Sequence, residues 1–237
     1  MSGFAEHNRE ILRAVAHHLG PLVGEVVFVG GQVAELLVTS PAAIRVRPTK
    51  DVDVVVRTST RTSYRAMEEA LRGRGFTNDT SEGAPLCRWK TSSGLLVDVM
   101  PDTPETLGFS NRWYSLAIQE SILCRVTEEL EIRIPPAPVF LGTKWEAFIS
   151  PDRAGAGDHY MSHDLEDIIT VVAGRPEITE EVTQARLDLR EYLALKADEF
   201  IGHPDAAGAI EGALPDALLI PGLIDQVFDR FRAMTVV

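Results

Sequence analysis

The chain has 237 residues, of which 45% are apolar and 24% are charged, as in an ordinary folded globular protein. No apolar run approaches the roughly 20 residues that a membrane-spanning helix needs, so no membrane partner is expected. The net charge of −12 is uneven: residues 1–135 hold 15 Lys and Arg against 17 Asp and Glu, whereas residues 136–237 hold 8 against 18. An acidic second half does not suit a polyphosphate, so any nucleic acid has to contact the first half.

The chain start and the cysteines predict a cytoplasmic protein. The first residues, "MSGFAEHNREILRA", carry charge where a secretory signal is apolar. Cys87 and Cys124 are too few and too far apart for a disulfide framework or a Cys-x-x-Cys metal site. We therefore expect two buried thiols in a reducing compartment.

Strands and helices alternate in the first 135 residues. The apolar and glycine patterns predict a helix that ends at Gly20-Pro21, a buried strand at 25–30, a helix in "QVAELLV", a strand at 51–57 and a helix at 61–76. Two hairpins follow, one from "PLCRWKT" to "LLVDVMP" around Ser92-Ser93-Gly94 and one from "SILCRV" to "LEIRIP". Residues 1–135 are thus expected to form a mixed β-sheet flanked by helices.

The period of the apolar residues becomes helical after Pro138. Lys144 is placed at the beginning of the first of these helices, and a second helix is capped by Ser162. A long helix is predicted at about 180–201 and a last one at about 222–233, with 205–217 as a loose segment. The predicted fold class is α+β, with residues 136–237 as a helical C-terminal domain.

Asp51 and Asp53 alternate with valines in a predicted strand, so both carboxylates project from the same face. Two adjacent carboxylates repel each other, and a cation between them relieves this repulsion. Mg²⁺ suits such a pair because it prefers hard oxygen ligands and keeps positions for water and phosphate. The alternative is a solvent-facing strand with two exposed aspartates, since Asp-x-Asp is a short and common pattern.

Three further features favour a functional site. Gly30-Gly31 joins a buried strand to a helix, where bare backbone N–H groups attract phosphate. Asp98 is a lone carboxylate in an apolar strand, which requires a partner such as a shared metal. Lys144 accompanies apolar helix residues and has the charge to neutralise a triphosphate, although a surface lysine is the simpler interpretation.

These residues resemble the nucleotidyltransferase superfamily that includes DNA polymerase β. The shared pattern is a strand, a Gly-Gly or Gly-Ser turn, a helix and an Asp-x-Asp strand, with a third carboxylate on a later strand. "RPTKDVD", with Thr49, "TKWEAF" and "HDLEDI", with Asp164 and Asp167, are similar to the AbiEii/MenT-like group of bacterial nucleotidyltransferases. The resemblance covers about residues 25–175.

The resemblance implies transfer of a nucleoside monophosphate from a nucleoside triphosphate to an acceptor hydroxyl, with two Mg²⁺ ions. It implies that Asp51 and Asp53 hold both ions and that Asp98 holds the ion next to the acceptor. Gly30, Gly31 and Thr49 fall at nucleotide-binding positions.

In the second half, the resemblance implies that Lys144 offsets the negative charge on the leaving pyrophosphate. It assigns Asp164 either to the orientation of Lys144 or to the nucleotide, and Asp167 to nucleotide binding. We expect Lys144 and Asp164 to face Asp51 and Asp53.

Two other classes of function stay open. His159 and His163 with neighbouring aspartates resemble the metal ligands of HD-type phosphohydrolases, but a helix that begins near Ser162 leaves His159 outside it. Gly31 stands where many nucleotidyltransferases have Ser, and this keeps open a catalytically inactive binding protein with the same fold. A degenerate copy usually loses a metal ligand first, whereas here the aspartates are retained.

The acceptor is not specified by these motifs. The similar group includes enzymes that act on tRNA ends, and some of its members are toxins paired with an antitoxin. Other members of the superfamily modify proteins or small molecules. Arg61, Arg65 and Arg72 would line one helix as a basic stripe, and a solvated helix face balanced by Glu68 and Glu69 is the simpler interpretation.

Overall fold

The computed structural model describes residues 3–40, 47–58, 60–151, 155–215 and 220–236, with side chains from residue 6 onward. The chain forms two compact units. One comprises Met1–Leu36 and Arg47–Pro136, and the other comprises Leu37–Val46 and Ala137–Val237. The predicted division at 135/136 differs from this one by Pro136 and by the segment 37–46, and the functions predicted for the two domains stay predictions.

Up to Pro136 the described chain contains short helices and two sheets. The helices are α1 (Gly3–Leu19), α2 (Gly31–Leu37), α3 (Arg61–Gly73), α4 (Pro104–Leu107) and α5 (Tyr114–Gln119), with a 3-10 helix at Gly20–Glu25. The strands are β1 (Val26–Phe28), β2 (Asp51–Val56), β3 (Thr77–Asn78), β4 (Arg88–Lys90), β5 (Leu96–Pro101), β6 (Ile122–Arg125) and β7 (Glu131–Ile134). The chain is therefore an α+β protein, and both predicted hairpins are present as antiparallel pairs.

The five-stranded sheet is mixed, with the strand order β1-β2-β5-β4-β3. Strands β2 and β5 are parallel, whereas β1 is antiparallel to β2 and β4 is antiparallel to β5. In this register Asp53 lies beside Asp98, and Asp98 lies beside Arg88. Three ionisable residues thus stand in one row across the centre of the sheet.

Burial follows the alternation of side chains along β2. Val52 and Val54 are fully buried, whereas Asp51 and Asp53 are only half-buried. Because alternate strand residues share a face, the two aspartates lie on the face opposite the valine core. The predicted common orientation of Asp51 and Asp53 is therefore confirmed.

From Ala137 onward, every element in the described residues is a helix. The helices are α6 (Ala137–Ile149), α7 (His163–Gly174), α8 (Ile178–Gln184), α9 (Leu187–Ile201), α10 (Ala206–Ala213) and α11 (Leu223–Met234). Helix α7 is capped as predicted, since Ser162 Oγ accepts from the Leu165 backbone N–H. Tilted aromatic rings of Trp145, Phe200 and Phe231 join α6, α9 and α11 in the core of this unit.

None of the helices in the described part of the chain combines the length and the apolar composition that crossing a bilayer requires.

Candidate functional site

Arg88 binds two of the three predicted metal-binding aspartates. Its Nε lies 2.8 Å from Asp98 Oδ1 and its Nη2 lies 2.7 Å from Asp98 Oδ2, which is a bidentate pair. The same Nη2 lies 2.8 Å from Asp51 Oδ2. The third aspartate, Asp53, is the β-sheet neighbour of Asp98. The structure thus brings the three predicted carboxylates to one place and adds a guanidinium to them.

The aspartates of this carboxylate cluster (Asp51, Asp53, Asp98 with Arg88) change the pKa values of the residues next to them. Hydrogen bonds to Asp98, together with the charges of all three aspartates, raise the pKa of Arg88 against the opposing effect of burial. Burial, with Asp98 and Asp53 nearby, raises the pKa of the Cys87 thiol to about 12. Cys87 therefore stays protonated at neutral pH and is neither a nucleophile nor a ready metal ligand.

Gly30 packs directly against the side chain of one of these aspartates. A Cβ atom at position 30 would stand 2.5 Å from Asp53 Oδ2 and 3.0 Å from Asp53 Cβ, which is closer than side chains pack. The backbone joins the same residues, because the Val29 N–H donates to the Asp53 carbonyl at 3.0 Å. The side chain of Gln32 donates to the Asp51 carbonyl. Gly31, the first residue of α2, follows directly, so the glycine turn and the Asp-x-Asp strand are adjacent.

Thr49 is bound from α1 by a residue that the sequence did not single out. The side-chain oxygen of Asn8 accepts from the Thr49 N–H at 3.2 Å and from its hydroxyl at 3.4 Å, while Asn8 Nδ2 donates to the Arg47 carbonyl at 3.0 Å. Both Asn8 and Thr49 are buried. These contacts hold the backbone just before β2 in place through Thr49. The predicted nucleotide-binding role of Thr49 stays a prediction.

The second unit contains a buried ion cluster (Lys144, Asp164, Asp167). Lys144 Nζ lies 3.0 Å from Asp164 Oδ1 and 2.7 Å from Asp167 Oδ2. Helix α6 begins at Ala137, so the prediction that Lys144 stands at a helix start is wrong: it lies in the middle of α6. The reason is that Ala137 and Pro138 already fit a first helical turn, where proline is tolerated.

The contacts of Lys144 support one part of its predicted role. Asp164 binds the lysine, which is one of the two roles that the resemblance offered for it, and Asp167 binds the lysine too. That Lys144 and Asp164 face Asp51 and Asp53, and that Lys144 and Asp167 contact a nucleotide, stays a prediction.

The histidines proposed for a hydrolase lie in different settings. His163 is exposed on α7 and its Nδ1 lies 3.4 Å from Glu166 Oε2. His159 precedes the helix and stacks on His203, with ring centroids 3.8 Å apart. Over the residues that the structure describes, no group of three or more His, Cys, Asp and Glu side chains is arranged to hold a metal ion.

The carboxylate cluster has part of the chemistry that the implied Mg²⁺ requires. Its donors are hard oxygens on adjacent strands, which is the chemistry that Mg²⁺ selects. The guanidinium that bridges Asp51 and Asp98 is a stand-in cation, because it marks where carboxylate oxygens converge on positive charge. The donor atoms are therefore of the kind that a divalent ion binds, but in this arrangement Arg88 bridges two of the three aspartates, and the described carboxylates are not grouped to hold an ion as they stand.

Sequence reasoning missed Arg88, although a signal for it existed. A hairpin centred on Ser92-Ser93-Gly94 pairs residue 90 with 96 and therefore 88 with 98, as the structure has it. Counting outward from the turn would have placed an arginine opposite the lone buried aspartate. For Asn8 no comparable signal exists, because its partners are backbone groups some 40 residues away in sequence.

No protein-family model matches the chain, and no curated protein matches it. Among solved structures, the chain is similar to one titled "Crystal structure of JHP933 from Helicobacter pylori". The two are 15% identical with a TM-score of 0.46, over 99% of this chain and 91% of that chain. A similarity of this extent carries no conclusion about the activity of this chain.

Proposed function

We propose that the protein is a Mg²⁺-dependent nucleotidyltransferase that moves a nucleoside monophosphate from a nucleoside triphosphate to an acceptor hydroxyl. The observation that carries the proposal is the row of Asp53, Asp98 and Arg88 across β2, β5 and β4, with Asp51 on the same face as Asp53. Three carboxylates on adjacent strands are costly to assemble without a cation, since like charges at this distance repel. Their presence beside a glycine turn supports a site for a metal-bound phosphate.

Each residue has a role in this proposal. Asp51 and Asp53 would hold Mg²⁺ from one face of β2, and Asp98 would hold it from β5. When bound, Mg²⁺ would withdraw charge from the phosphate and make the acceptor hydroxyl more acidic. Asp98, which is the buried carboxylate of the three, would also accept the hydroxyl proton. Gly30 and Gly31 present bare backbone to the triphosphate.

The acceptor class remains the open part of the proposal, with tRNA, a protein and a small alcohol as candidates. Incubation with each labelled triphosphate, Mg²⁺ and either total tRNA, cell protein or small alcohols tests both parts at once. The expected result is transfer of label to one acceptor class. A toxin role predicts in addition that expression alone inhibits growth and that a neighbouring antitoxin relieves the inhibition.

Two variants make the assay specific for the carboxylate cluster. Asp53→Asn should reduce transfer about a hundredfold or more, because it removes a ligand of the charge-stabilising ion. Asp79→Asn is the matched control, since Asp79 is an ion-paired aspartate of the same unit whose partner is Lys90 and not the cluster. Transfer that is equal in both variants, or no product with any triphosphate and acceptor, would overturn the proposal.

The Arg88 contacts favour a second candidate, a binding protein without catalysis. If Arg88 holds Asp51 and Asp98 permanently, the ion pairs are structural and no metal is needed. This candidate predicts nucleotide binding that does not depend on Mg²⁺ and no transfer product. Isothermal calorimetry with each triphosphate, with and without Mg²⁺, separates the two functions.

A further inference from the structure

Strand β6 pairs with β7 along one side only, in antiparallel register. Beyond its end the Val126 N–H donates to the Leu130 carbonyl at 2.9 Å, so the preceding residue, Arg125, stands in a non-hydrogen-bonded pair. Because hydrogen-bonded and non-hydrogen-bonded pairs alternate along an antiparallel ladder, Leu123 stands in such a pair too. Both residues therefore turn their backbone N–H and C=O groups away from β7, and four polar groups point to the other side of β6.

This other side of β6 is an open sheet edge. Within the described residues, no group bonds to the backbone of Leu123 or Arg125 from that side. Apolar side chains are exposed along it, since Ile122 is 46% and Leu123 is 61% exposed. Native sheets often protect an edge with proline or lysine, and residues 122–125 contain neither. An apolar edge with free backbone groups is suited to accept a further strand.

The residues of β6 are complementary to a second β6 strand in antiparallel pairing about a twofold axis at Cys124. In that register Leu123 of each copy stands opposite Arg125 of the other, and all four outward groups of each copy are bonded. An axis at Arg125 would instead place two arginines directly opposite each other, and an axis at Leu123 would require Ser121, which precedes the strand. On the other face of the sheet, Cys124 and Ile132 of the two copies would form one continuous row without charge.

The charge distribution also permits two copies to meet at this edge. Residues 1–135, which include β6, hold 15 Lys and Arg against 17 Asp and Glu, so they lack the acidic excess of the second half. We propose that β6 is a dimer interface, in which β6 strands of two copies of this chain pair antiparallel about a twofold axis at Cys124 and form one four-stranded sheet. Four residues a side are few for a standard interface, so the dimer is weak and depends on concentration. The inference does not depend on the proposed function.

Sedimentation velocity over a series of protein concentrations, under reducing conditions, measures this association. The wild type should change from monomer to dimer as the concentration rises. Leu123→Lys should weaken the association about tenfold or more, because it places a positive charge opposite Arg125 of the second copy. Leu86→Lys is the matched control, since Leu86 is a leucine of the same unit that is 72% exposed and does not lie on β6.

Cross-linking tests the register of the two strands. In a non-hydrogen-bonded pair the Cα atoms of the two Cys124 residues lie about 4.5 Å apart, which is within the range that a disulfide spans. Copper phenanthroline, added as the oxidant, should therefore produce an intermolecular disulfide in the wild type. The same product should form in Cys87→Ser, since Cys87 is buried, and should be absent in Cys124→Ser.

Each contrary outcome has a definite meaning. A wild type that is monomeric at every soluble concentration would overturn the proposal and leave the edge to an extended segment of another protein. A dimer that Leu123→Lys weakens no more than Leu86→Lys does would overturn it too, because the interface would then lie elsewhere. A dimer that depends on Leu123 but gives no Cys124 disulfide would overturn the proposed register.

Hydrogen exchange of the wild type covers the case in which Leu123→Lys does not fold. The N–H groups of Leu123 and Arg125 are bonded only between the two copies, so dilution should speed their exchange. The Cys124 N–H pairs with β7 within one copy and should stay protected at every concentration. Exchange of the Leu123 and Arg125 N–H groups that is independent of concentration would overturn the proposal.

Discussion

Gly30 is required for space and not for an unusual backbone angle. Its φ lies outside the left-handed region that other glycines of the chain occupy. The constraint comes from the side chains of Asp53 and Gln32, because Asp53 Oδ2 and Gln32 Oε1 would lie 2.5 Å and 2.8 Å from a Cβ atom at position 30. The sequence offered turn geometry or phosphate contact as reasons for this glycine, and the structure supplies a third reason that ties it to β2.

Gly30→Ala should therefore destabilise the protein by about 1–3 kcal/mol, the usual cost of overpacking a fixed position. It should also move Asp53 and so reduce nucleotidyl transfer. Gly24→Ala is the control, since nothing lies within 4 Å of a Cβ atom there and its φ is not left-handed. Urea unfolding of both variants measures the difference, and equal stabilities would contradict the packing argument.

At the scale of single residues, the sequence could predict what alternation and charge dictate. The shared face of Asp51 and Asp53 follows from the period of a strand. The partner of Asp98 follows only from the register of the β4–β5 hairpin, in which residue 88 stands opposite residue 98. The Asn8 contacts were beyond reach, because a side chain that binds distant backbone leaves no pattern in the order of residues.

Helices α6 and α7 are joined by a charged contact inside an apolar interface. Lys144, Asp164 and Asp167 are all buried, and Lys144 Nζ also lies 5.7 Å from the centroid of the Phe140 ring. Buried ions are stable only as pairs, so each member depends on the others. This contact serves as a structural tie between the two helices whatever its role in function.

Lys144→Met should cost about 3–5 kcal/mol, because it keeps most of the side-chain volume and leaves two buried carboxylates without this cation. Lys196→Met is the control: Lys196 pairs with the largely exposed Glu199 and should cost less than about 1 kcal/mol. Thermal and urea unfolding provide both numbers. The double variant Lys144→Met with Asp167→Asn should recover part of the loss, and an additive loss would contradict the pairing.

The turn before α7 is tied to the end of α9 by stacked imidazoles. His159 lies flat on His203 at 3.8 Å, with Phe200 stacked at 6.0 Å. Burial first, and the neighbouring charge of His203 second, lower the pKa of His159 below its ordinary value of 6.5. The folded state thus binds a proton at His159 less readily than the unfolded chain does.

The sign of the resulting pH effect follows from linkage. Stability due to neutral His159 is fully present above pH 6.5 and is lost as the pH falls through the lowered pKa. His159→Phe keeps a ring in the stack without a titrating group, so its unfolding free energy should fall less between about pH 8 and about pH 5. His163→Phe, at an exposed position, should keep the wild-type slope. Equal slopes for His159→Phe and the wild type would contradict this account.

Two segments of the second unit differ from the helices that the sequence predicts. The segment 205–217, predicted to be loose, contains α10, since Ala206, Ala209, Ile210 and Ala213 form a buried stripe at helical spacing, and this burial outweighs the low helix propensity of its two glycines. The helix predicted over 180–201 is two helices. Ala185 and Arg186 are extended, and Arg186 pairs with Asp188, whose carboxylate accepts from the Leu189 N–H at the start of α9.

At the scale of the whole molecule, the main property is a strongly negative net charge, which follows directly from the composition. The net charge is −12, and residues 136–237 carry 18 acidic against 8 basic side chains. Many of these acids lie on exposed helix faces, among them Glu191 and Asp198 of α9. Like charges on one compact unit repel, and the folded state bears this repulsion more than the expanded chain does.

Added salt should therefore raise the melting temperature from that at low ionic strength, as the Debye length falls to about 10 Å near 0.1 M. The double variant Glu191→Lys with Asp198→Lys makes the net charge four units less negative and should weaken this dependence. Differential scanning calorimetry in a sodium chloride series measures both slopes. A melting temperature that falls with salt would show that ion pairs outweigh the repulsion.

The contact of Asn8 with the chain just ahead of β2 has a consequence for strand register. Side chains of a strand alternate with a period of two, so a slip of β2 by one residue would turn Asp51 and Asp53 into the apolar interior and bring Val52 and Val54 to the open face. Asn8 holds the carbonyl of residue 47 and the N–H of residue 49, two residues before the strand begins. The first helix thus supports the phase that the neighbouring strands give to the Asp-x-Asp strand, and a buried amide with no charge of its own helps to keep the acidic side chains off the apolar face.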